Sequence, residues 1–204
     1  VLISFEGIDG CGKSTHIKKL KAYLTDRGYD VHVFREPGGT PLSEQIREIL
    51  LNSKDDIHPL AESLLFSAAR AQLVATRIRP LLDTGAIVIL DRFYDSTTAY
   101  QGYGRQAIPV PDIERLNKLA TQNLEPDITI YLKLDPEVAY RRRKKVRMED
   151  RMEQAGADFF KRVNAGFDAL AAREQRIVAF DASRSAAETF EAIKGHLERM
   201  LPRS

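Results

Sequence analysis

The sequence predicts an α/β fold, a five-stranded parallel sheet with helices on both faces. Three observations point to it. Short apolar runs alternate with helix-period stretches along all 204 residues. Ala86–Leu90 is apolar throughout between Gly85 and Asp91, which suits a central parallel strand covered on both faces. The residues that break these patterns gather after the strands, and ligands bind at the carboxyl ends of strands in such sheets.

The elements follow in order. Val1–Phe5 reads as a buried strand. From Lys13 to Arg27, Ile17, Leu20 and Leu24 recur at helical spacing, and Gly28 is a natural stop. Val31–Arg35 is the second strand. Thr40 and Pro41 read as an N-cap and a first helical residue, with Leu42, Ile46, Ile49 and Leu50 as the apolar face. A long helical pattern runs from Pro59 toward Gly85, ahead of the Ala86–Leu90 strand. A polar and aromatic stretch, Asp91–Gln106, comes next, and Pro111 opens another helix. Asp127–Leu134 is a strand, and Asp135–Pro136 caps the helix after it. A basic segment spans Arg141–Arg151, and Ala157–Ala172 is again helical. Arg176–Phe180 is the last strand, and Ser185–Glu188 has capping-box spacing at the start of the final helix.

Length suggests one domain, residues 1–204, and a 43% hydrophobic share supports a real core. A net charge of +2 gives no global pull toward nucleic acid or membranes. No apolar run approaches the roughly 18 residues of a membrane span. The lone cysteine, Cys11, excludes an internal disulfide and fits a reducing compartment. The first residues enter a strand pattern without a basic-then-apolar leader. The expectation is a cytoplasmic protein with neither nucleic-acid nor membrane partners.

Gly7-x-x-x-x-Gly12-Lys13-Ser14 is the phosphate-cradle pattern, and it lies between a strand and a helix, as the pattern requires. Gly7, Ile8, Asp9, Gly10, Cys11, Gly12, Lys13, Ser14 and Thr15 would wrap the nucleotide phosphates. The glycines let backbone N–H groups turn inward at the positive end of the helix dipole. Lys13 should reach the β/γ-phosphates and Ser14 should hold Mg²⁺. Cys11 reads as a small loop filler rather than a nucleophile.

The cradle alone does not separate a switch, a motor and a kinase. A GTP switch wants Asn-Lys-x-Asp, and the nearest stretch, Asn117–Ala120, lacks the aspartate. A motor wants a water-polarising glutamate after the strand-end aspartate. Here Arg92 follows Asp91, and arginine cannot do that job but can bind phosphate.

"FEGIDGCGKST", "REPGGT", "LLFSAAR", "DRFYDSTTAYQG", "PDITIYL" and "DRMEQ" occur in this order along the chain. Together they resemble the thymidylate kinases, P-loop enzymes that phosphorylate dTMP with ATP. The resemblance implies a three-layer P-loop nucleotide kinase fold with a small lid near residues 141–155. It also implies ATP and dTMP as substrates, Mg²⁺ as cofactor, and a homodimer. A monophosphate acceptor carries about −1.5 to −2 charges near neutral pH, so it attacks without a general base. The task is to hold and neutralise two anions, which suits an arginine-rich site.

The resemblance also distributes roles. Arg92 would lie between donor and acceptor phosphates. Phe66 and Arg70, four apart and so on one helix face, would stack on thymine and read its O4. On pattern alone Phe66 is also a natural core residue. Thr97 and Gln101 would line the polar edge of the base with Ser96 beside them, and Tyr100 would crowd the sugar 2′ position. Asp9 would bond the 3′-OH near the magnesium, and Asp91 is a further candidate for that ion. Glu36 and Pro37 would wall the acceptor site, and Arg47 would add an acceptor-side cation. Arg35 and Glu36 could pair with each other or with site groups. Arg151 and Arg147, followed by Arg143, would be the lid arginines. A different subtype carries an arginine inside the cradle where this chain has Gly10, which favours the bacterial-type lid arrangement. Phe180–Ser183 stands where the family contacts adenine, mostly through backbone.

Two other readings stay open on sequence. A nucleoside kinase would use Glu36 as general base and show a carboxylate-dependent acid limb in its pH–rate profile. A nucleotide-dependent switch would hydrolyse slowly and show no acceptor-dependent ADP release.

Overall fold

The computed structural model describes residues 1–54, 56–143 and 156–200. Five strands, β1 (Leu2–Glu6), β2 (Val31–Arg35), β3 (Ile87–Asp91), β4 (Ile128–Lys133) and β5 (Ile177–Asp181), form one sheet. Its order is β2-β3-β1-β4-β5 and every pairing is parallel, as the apolar runs predict. All carboxyl ends therefore lie on one edge. The register places Phe5 and Arg35 opposite Asp91, and Glu6 opposite Tyr131, so polar residues line that rim.

The strand bounds correct the sequence reading in one consistent way. β1, β3 and β5 each start and end one residue later than the apolar runs, and end on Glu6, Asp91 and Asp181. The ladder is a backbone structure, so a terminal carboxylate continues the pairing that an apolar pattern stops counting.

Strand alternation builds two faces. On one, Ile3, Phe5 and Ile89 join a cluster with Ile17, Leu20 and Leu24 of α1 (Lys13–Thr25). On the other, Leu2, Val88 and Leu90 pack on Leu73, Val74, Ile78 and Phe93. That second face turns polar toward the rim. Ser4 and Glu6, each fully buried, follow Leu2 at every second position.

α2 (Pro41–Asn52) begins as expected, with the Thr40 hydroxyl accepting from the Ser43 N–H. α3 (Pro59–Leu73) does not continue as one regular helix. It widens into a π-helical turn, Val74–Ile78, before α4 (Arg79–Asp83). Pro80, which has no N–H to return to the preceding turn, sits just beyond the widening. The polar stretch after β3 is helical too, as α5 (Tyr94–Thr97) and a second π-helical turn, Thr98–Gly104. Sequence periodicity gives no sign of this, because its residues are chosen for the cleft and for buried polar contacts.

α6 (Val110–Thr121) starts one residue before Pro111. Asp135 caps α7 (Pro136–Arg143) by accepting from the Glu137 and Val138 N–H groups. α8 spans Ala157–Arg173, and the Ser185/Glu188 capping box opens α9 (Ala186–Leu197). Among the described residues no helix is long and apolar enough to cross a membrane.

Candidate active site

The cradle loop joins β1 to α1 at the centre of the rim. Gly10 has a backbone φ of +90°, and a Cβ added there would lie 2.5 Å from the Ala139 carbonyl oxygen of α7. No side chain fits, arginine included, so the sequence expectation of an arginine-free cradle has a steric cause. Lys13 is buried, and its Nζ donates to the Gly7 and Ile8 carbonyls at 3.0 and 3.3 Å. The same Nζ lies 3.5 Å from Asp9 Oδ1. Ser14 Oγ donates to Asp91 Oδ2 at 3.3 Å, which brings the predicted magnesium hydroxyl to the end of β3.

A cleft of about 640 Å³ opens beside the cradle. Arg92 stands in its wall at a backbone φ of +73°. Its guanidinium donates to Asp9 Oδ1 at 2.7 Å, Ser96 Oγ at 3.0 Å, the Gly7 carbonyl at 3.1 Å and Tyr100 Oη at 3.2 Å. Burial works against that charge, but Asp9, Tyr100, Asp91 and Glu6 outweigh it and hold the guanidinium above its ordinary pKa. Burial, with Asp9, pushes the Tyr100 phenol up to about 12 despite Arg92 nearby, so it stays neutral.

A further wall of the cleft is built on α3, through Phe66 and Arg70. Arg70 is 2% exposed. Its Nε donates to Glu36 Oε2 at 2.7 Å, and its Nη1 donates to Thr97 Oγ1 at 3.0 Å. This resolves the open pairing. Glu36 belongs to Arg70, while Arg35 pairs with Glu44 at 3.0 Å. Burial pushes the Glu36 carboxyl up, with Arg70 opposing, and Glu36 Oε1 is buried without a hydrogen-bond partner. Phe66 combines its two readings, since it lines the cleft and also packs on Ile46, Leu50 and Ala69. Gln101 and Thr97 face the same cleft, as does Pro37, whose carbonyl accepts from Arg47 at 3.0 Å.

One expectation shifts. Ser96 lines the cleft, but its hydroxyl is held by Arg92 and by Glu6 Oε2 at 2.5 Å, which places it beneath Arg92. Arg147 and Arg151 lie outside the described residues, as does most of the 141–155 segment.

The cradle and the cleft beside it thus share Arg92, as a nucleotide kinase requires. The thymidylate kinase family model matches residues 5–193. The chain belongs to the thymidylate kinase family. It is 49% identical to the thymidylate kinase of Chlorobaculum parvum, over 98% of this chain and 96% of that protein. It is 45% identical to that of Chlorobaculum tepidum over the full length of both. The crystal structure of thymidylate kinase from Ehrlichia chaffeensis superposes with a TM-score of 0.77 at 35% identity, covering 96% of this chain and 98% of that one.

Sequence reasoning missed several residues that this family member uses to build the cleft. Glu6 accepts from the Phe93 N–H at 2.7 Å and the Ser96 N–H at 3.3 Å, and so anchors the start of α5 beneath Arg92. Its signal was the period-two row Leu2, Ser4, Glu6. Glu62, 1% exposed, accepts from Gln101, and its signal was the period-four row Glu62, Phe66, Arg70 on α3. Asn117 donates to Thr98 Oγ1 at 2.9 Å and lies 3.4 Å from Arg70 Nη1. Arg142 reaches the Ala182 carbonyl at 2.9 Å, fastening α7 to the Phe180–Ser183 segment. The last two had no sequence signal, because their partners lie far along the chain.

Proposed function

We infer that this chain transfers the γ-phosphoryl group of ATP to dTMP, giving dTDP and ADP. Family membership supports the reaction, and one structural observation carries the site reading. Arg92 reaches both the cradle, at the Gly7 carbonyl and Asp9, and the cleft, at Tyr100 and Ser96. An acceptor phosphate oxygen attacks the γ-phosphorus in line while the bond to the β-phosphate oxygen breaks and ADP leaves. No proton need be removed, so the residues act by position and charge.

In this reading Lys13 and the cradle N–H groups hold the donor phosphates. Arg92 neutralises charge between donor and acceptor, and Arg47 does so on the acceptor side. Phe66 stacks on thymine, Arg70, Thr97 and Gln101 read its polar edge, and Tyr100 and Asp9 meet the sugar. Glu36 and Pro37 form the wall behind. Arg151 and Arg147 supply lid charge to the transition state.

Ser14 and Asp91, already in contact, fit a magnesium ion. Among the described residues no group of three or more His, Cys, Asp or Glu could hold a metal alone. That donor set suits an ion completed by phosphate oxygens and water. Bound there, Mg²⁺ supplies charge neutralisation on the transferring phosphoryl group.

Leu42, Ile49, Leu60, Leu64 and Leu119 are exposed on the adjoining helices α2, α3 and α6. They support a homodimer formed through that face, which light scattering on the purified chain would test. A lone buried cysteine and small-nucleotide substrates fit a cytoplasmic enzyme.

The deciding experiment is a coupled ADP-release assay with Mg-ATP and a panel of dTMP, dUMP, dCMP, dGMP, AMP and thymidine. dTMP should be the preferred acceptor. Release driven by thymidine but not dTMP would return the nucleoside-kinase reading, and release independent of any acceptor would return the switch.

A further inference from the structure

We propose that Glu62 sets the base specificity of the acceptor cleft, by fixing which end of the Gln101 side-chain amide faces the base. The proposal rests on the reading of the cleft as the dTMP site.

Gln101 lies in the second π-helical turn and is 2% exposed. Its Nε2 donates to Glu62 Oε1 at 3.1 Å. Glu62 is in turn ion-paired with Arg105, whose Nε and Nη2 lie 3.3 Å from its two oxygens. An ion-paired carboxylate only accepts hydrogen bonds. A side-chain amide has nearly the same shape in its two flipped orientations, and its partners decide between them. Against Glu62 only one orientation works, with the NH₂ on the carboxylate and the carbonyl oxygen turned away. Gln101 Oε1 accepts nothing from the described residues. It is also absent from the fully buried atoms left without a partner, so it opens onto the cleft that Gln101 lines.

Arg70 lines the same cleft and can only donate. Glu36 takes its Nε, and Thr97 and Asn117 take its Nη1. The cleft therefore presents both a donor, Arg70, and an acceptor, Gln101 Oε1. A uracil-type base offers the complement along O4 and N3–H, an acceptor next to a donor. Cytosine offers a donor at N4 and an acceptor at N3, the wrong polarity at both places. A flipped Gln101 would turn its NH₂ to the base and remove half of that discrimination. Glu62 touches no substrate in this scheme. It is a positioning residue acting through Gln101, and its place on the row Glu62, Phe66, Arg70 joins the orienting carboxylate to the stacking ring and the reading arginine.

The test measures kcat and KM for dTMP and dCMP with saturating Mg-ATP in the full chain. Glu62→Gln keeps the volume but allows either amide orientation. Glu62→Asp keeps the charge and withdraws it by one methylene. Each should lower kcat/KM for dTMP about 10- to 100-fold, mainly through KM, with no matching loss for dCMP. In a Gln101→Met background, Glu62→Gln should change the dTMP/dCMP ratio less than about twofold, because the amide it orients is gone. Folded Glu62 variants that keep the wild-type ratio would overturn the proposal. So would an equal shift with and without the Gln101 amide, which would make Glu62 a packing residue. If the wild type itself shows no preference for dTMP over dCMP, the acceptor-site reading fails instead.

Discussion

Replacing Arg70 by methionine separates the stability of the cleft from its chemistry. Arg70 and Glu36 form a buried pair at 2.7 Å, with side chains 2% and 3% exposed. Removing one partner of such a pair costs about 3–5 kcal/mol, because the other charge stays buried alone. For a chain of this size that lowers Tm by roughly 6–20 °C. The deficit should depend on pH with a definite sign. Burial already pushes the Glu36 carboxyl above 4.5, and Arg70 opposes the rise through its charge and its hydrogen bond. Without Arg70 the folded-state pKa climbs further. A carboxyl raised on folding lends its stability below the unfolded pKa and loses it as pH rises through the folded pKa. Arg70→Met should therefore fall little behind the wild type near pH 5 and much further near pH 8. Adding Glu36→Gln removes the stranded charge and should recover more than half of the pH 8 loss. dTMP recognition should stay impaired in both variants, because the arginine proposed to read the base is absent from both. Urea denaturation at the two pH values, with dTMP KM measured alongside, provides the assay. The reasoning is refuted if the single variant loses less than about 1 kcal/mol at pH 8, or if the double variant is no more stable than the single one.

Lys13→Ala should lower kcat by at least about 100-fold while the thermal midpoint stays near wild type, because Lys13 bonds only within its own loop, at Gly7, Ile8, Asp9 and Cys11, and Asp9 is also held by Arg92. Steady-state kinetics with a melting curve checks both halves. Phe66→Ala should raise dTMP KM about tenfold or more and also cost roughly 1–3 kcal/mol, since the ring both lines the cleft and packs on Leu50 and Ile46. An unchanged KM with the stability loss would leave only the packing role. Glu6→Gln tests the buried carboxyl beneath Arg92. Burial, then Asp95, pushes Glu6 up to about 8, so the wild type loses stability as pH rises from about 4.5 to 8 while the variant does not. The gap should move toward the variant by on the order of 1.4 kcal/mol per pH unit in that window, and a pH-independent gap in denaturation curves would contradict it.

The sheet was legible in the sequence because its central strands β1, β3 and β4 bury both faces, and Ile87–Leu90 could hardly be anything else. The cradle was legible because its chemistry is local, with every donor within a few residues of Gly7. Arg70 and Phe66 were legible as a pair because helix geometry ties residues four apart. What lay hidden depends on contacts between distant elements. Glu36 could have paired with its neighbour Arg35, and only the packing of α3 against the end of β2 brings Arg70 to it. The Tyr94–Gly104 stretch has no apolar stripe to reveal its helical path. Apart from Ala99 and Tyr100, its inward side chains are polar, and they bond to Glu6, Glu62 and Asn117.

A cradle with one fixed cation needs further positive charge to transfer a phosphoryl group, and the structure shows what decides where it can come from. α7 lies so close to the loop that Gly10 admits no side chain, which removes the cradle itself as a source. Arg92 reaches the cradle at the Gly7 carbonyl and Asp9, and the fold commits much to holding it. Its backbone is left-handed, Asp9 and Tyr100 take its guanidinium, and Ser96 is fixed from below by Glu6. A residue so constrained is preorganised, and a preorganised charge stabilises a transition state without reorganising during the step. The same α7 that closes off Gly10 leads directly into the basic segment at Arg141–Arg151. Packing that excludes an arginine from the loop thus holds α7, with Arg141 and Arg142, beside the cradle. Gly10→Ala should accordingly act through α7. It should disturb the Ala139 contact, lower kcat more than it raises dTMP KM, and leave the dTMP/dCMP preference unchanged. A loss of base preference in that variant, measured with the same two nucleotides, would show that the loop and the base cleft are coupled and that this division of charge is wrong.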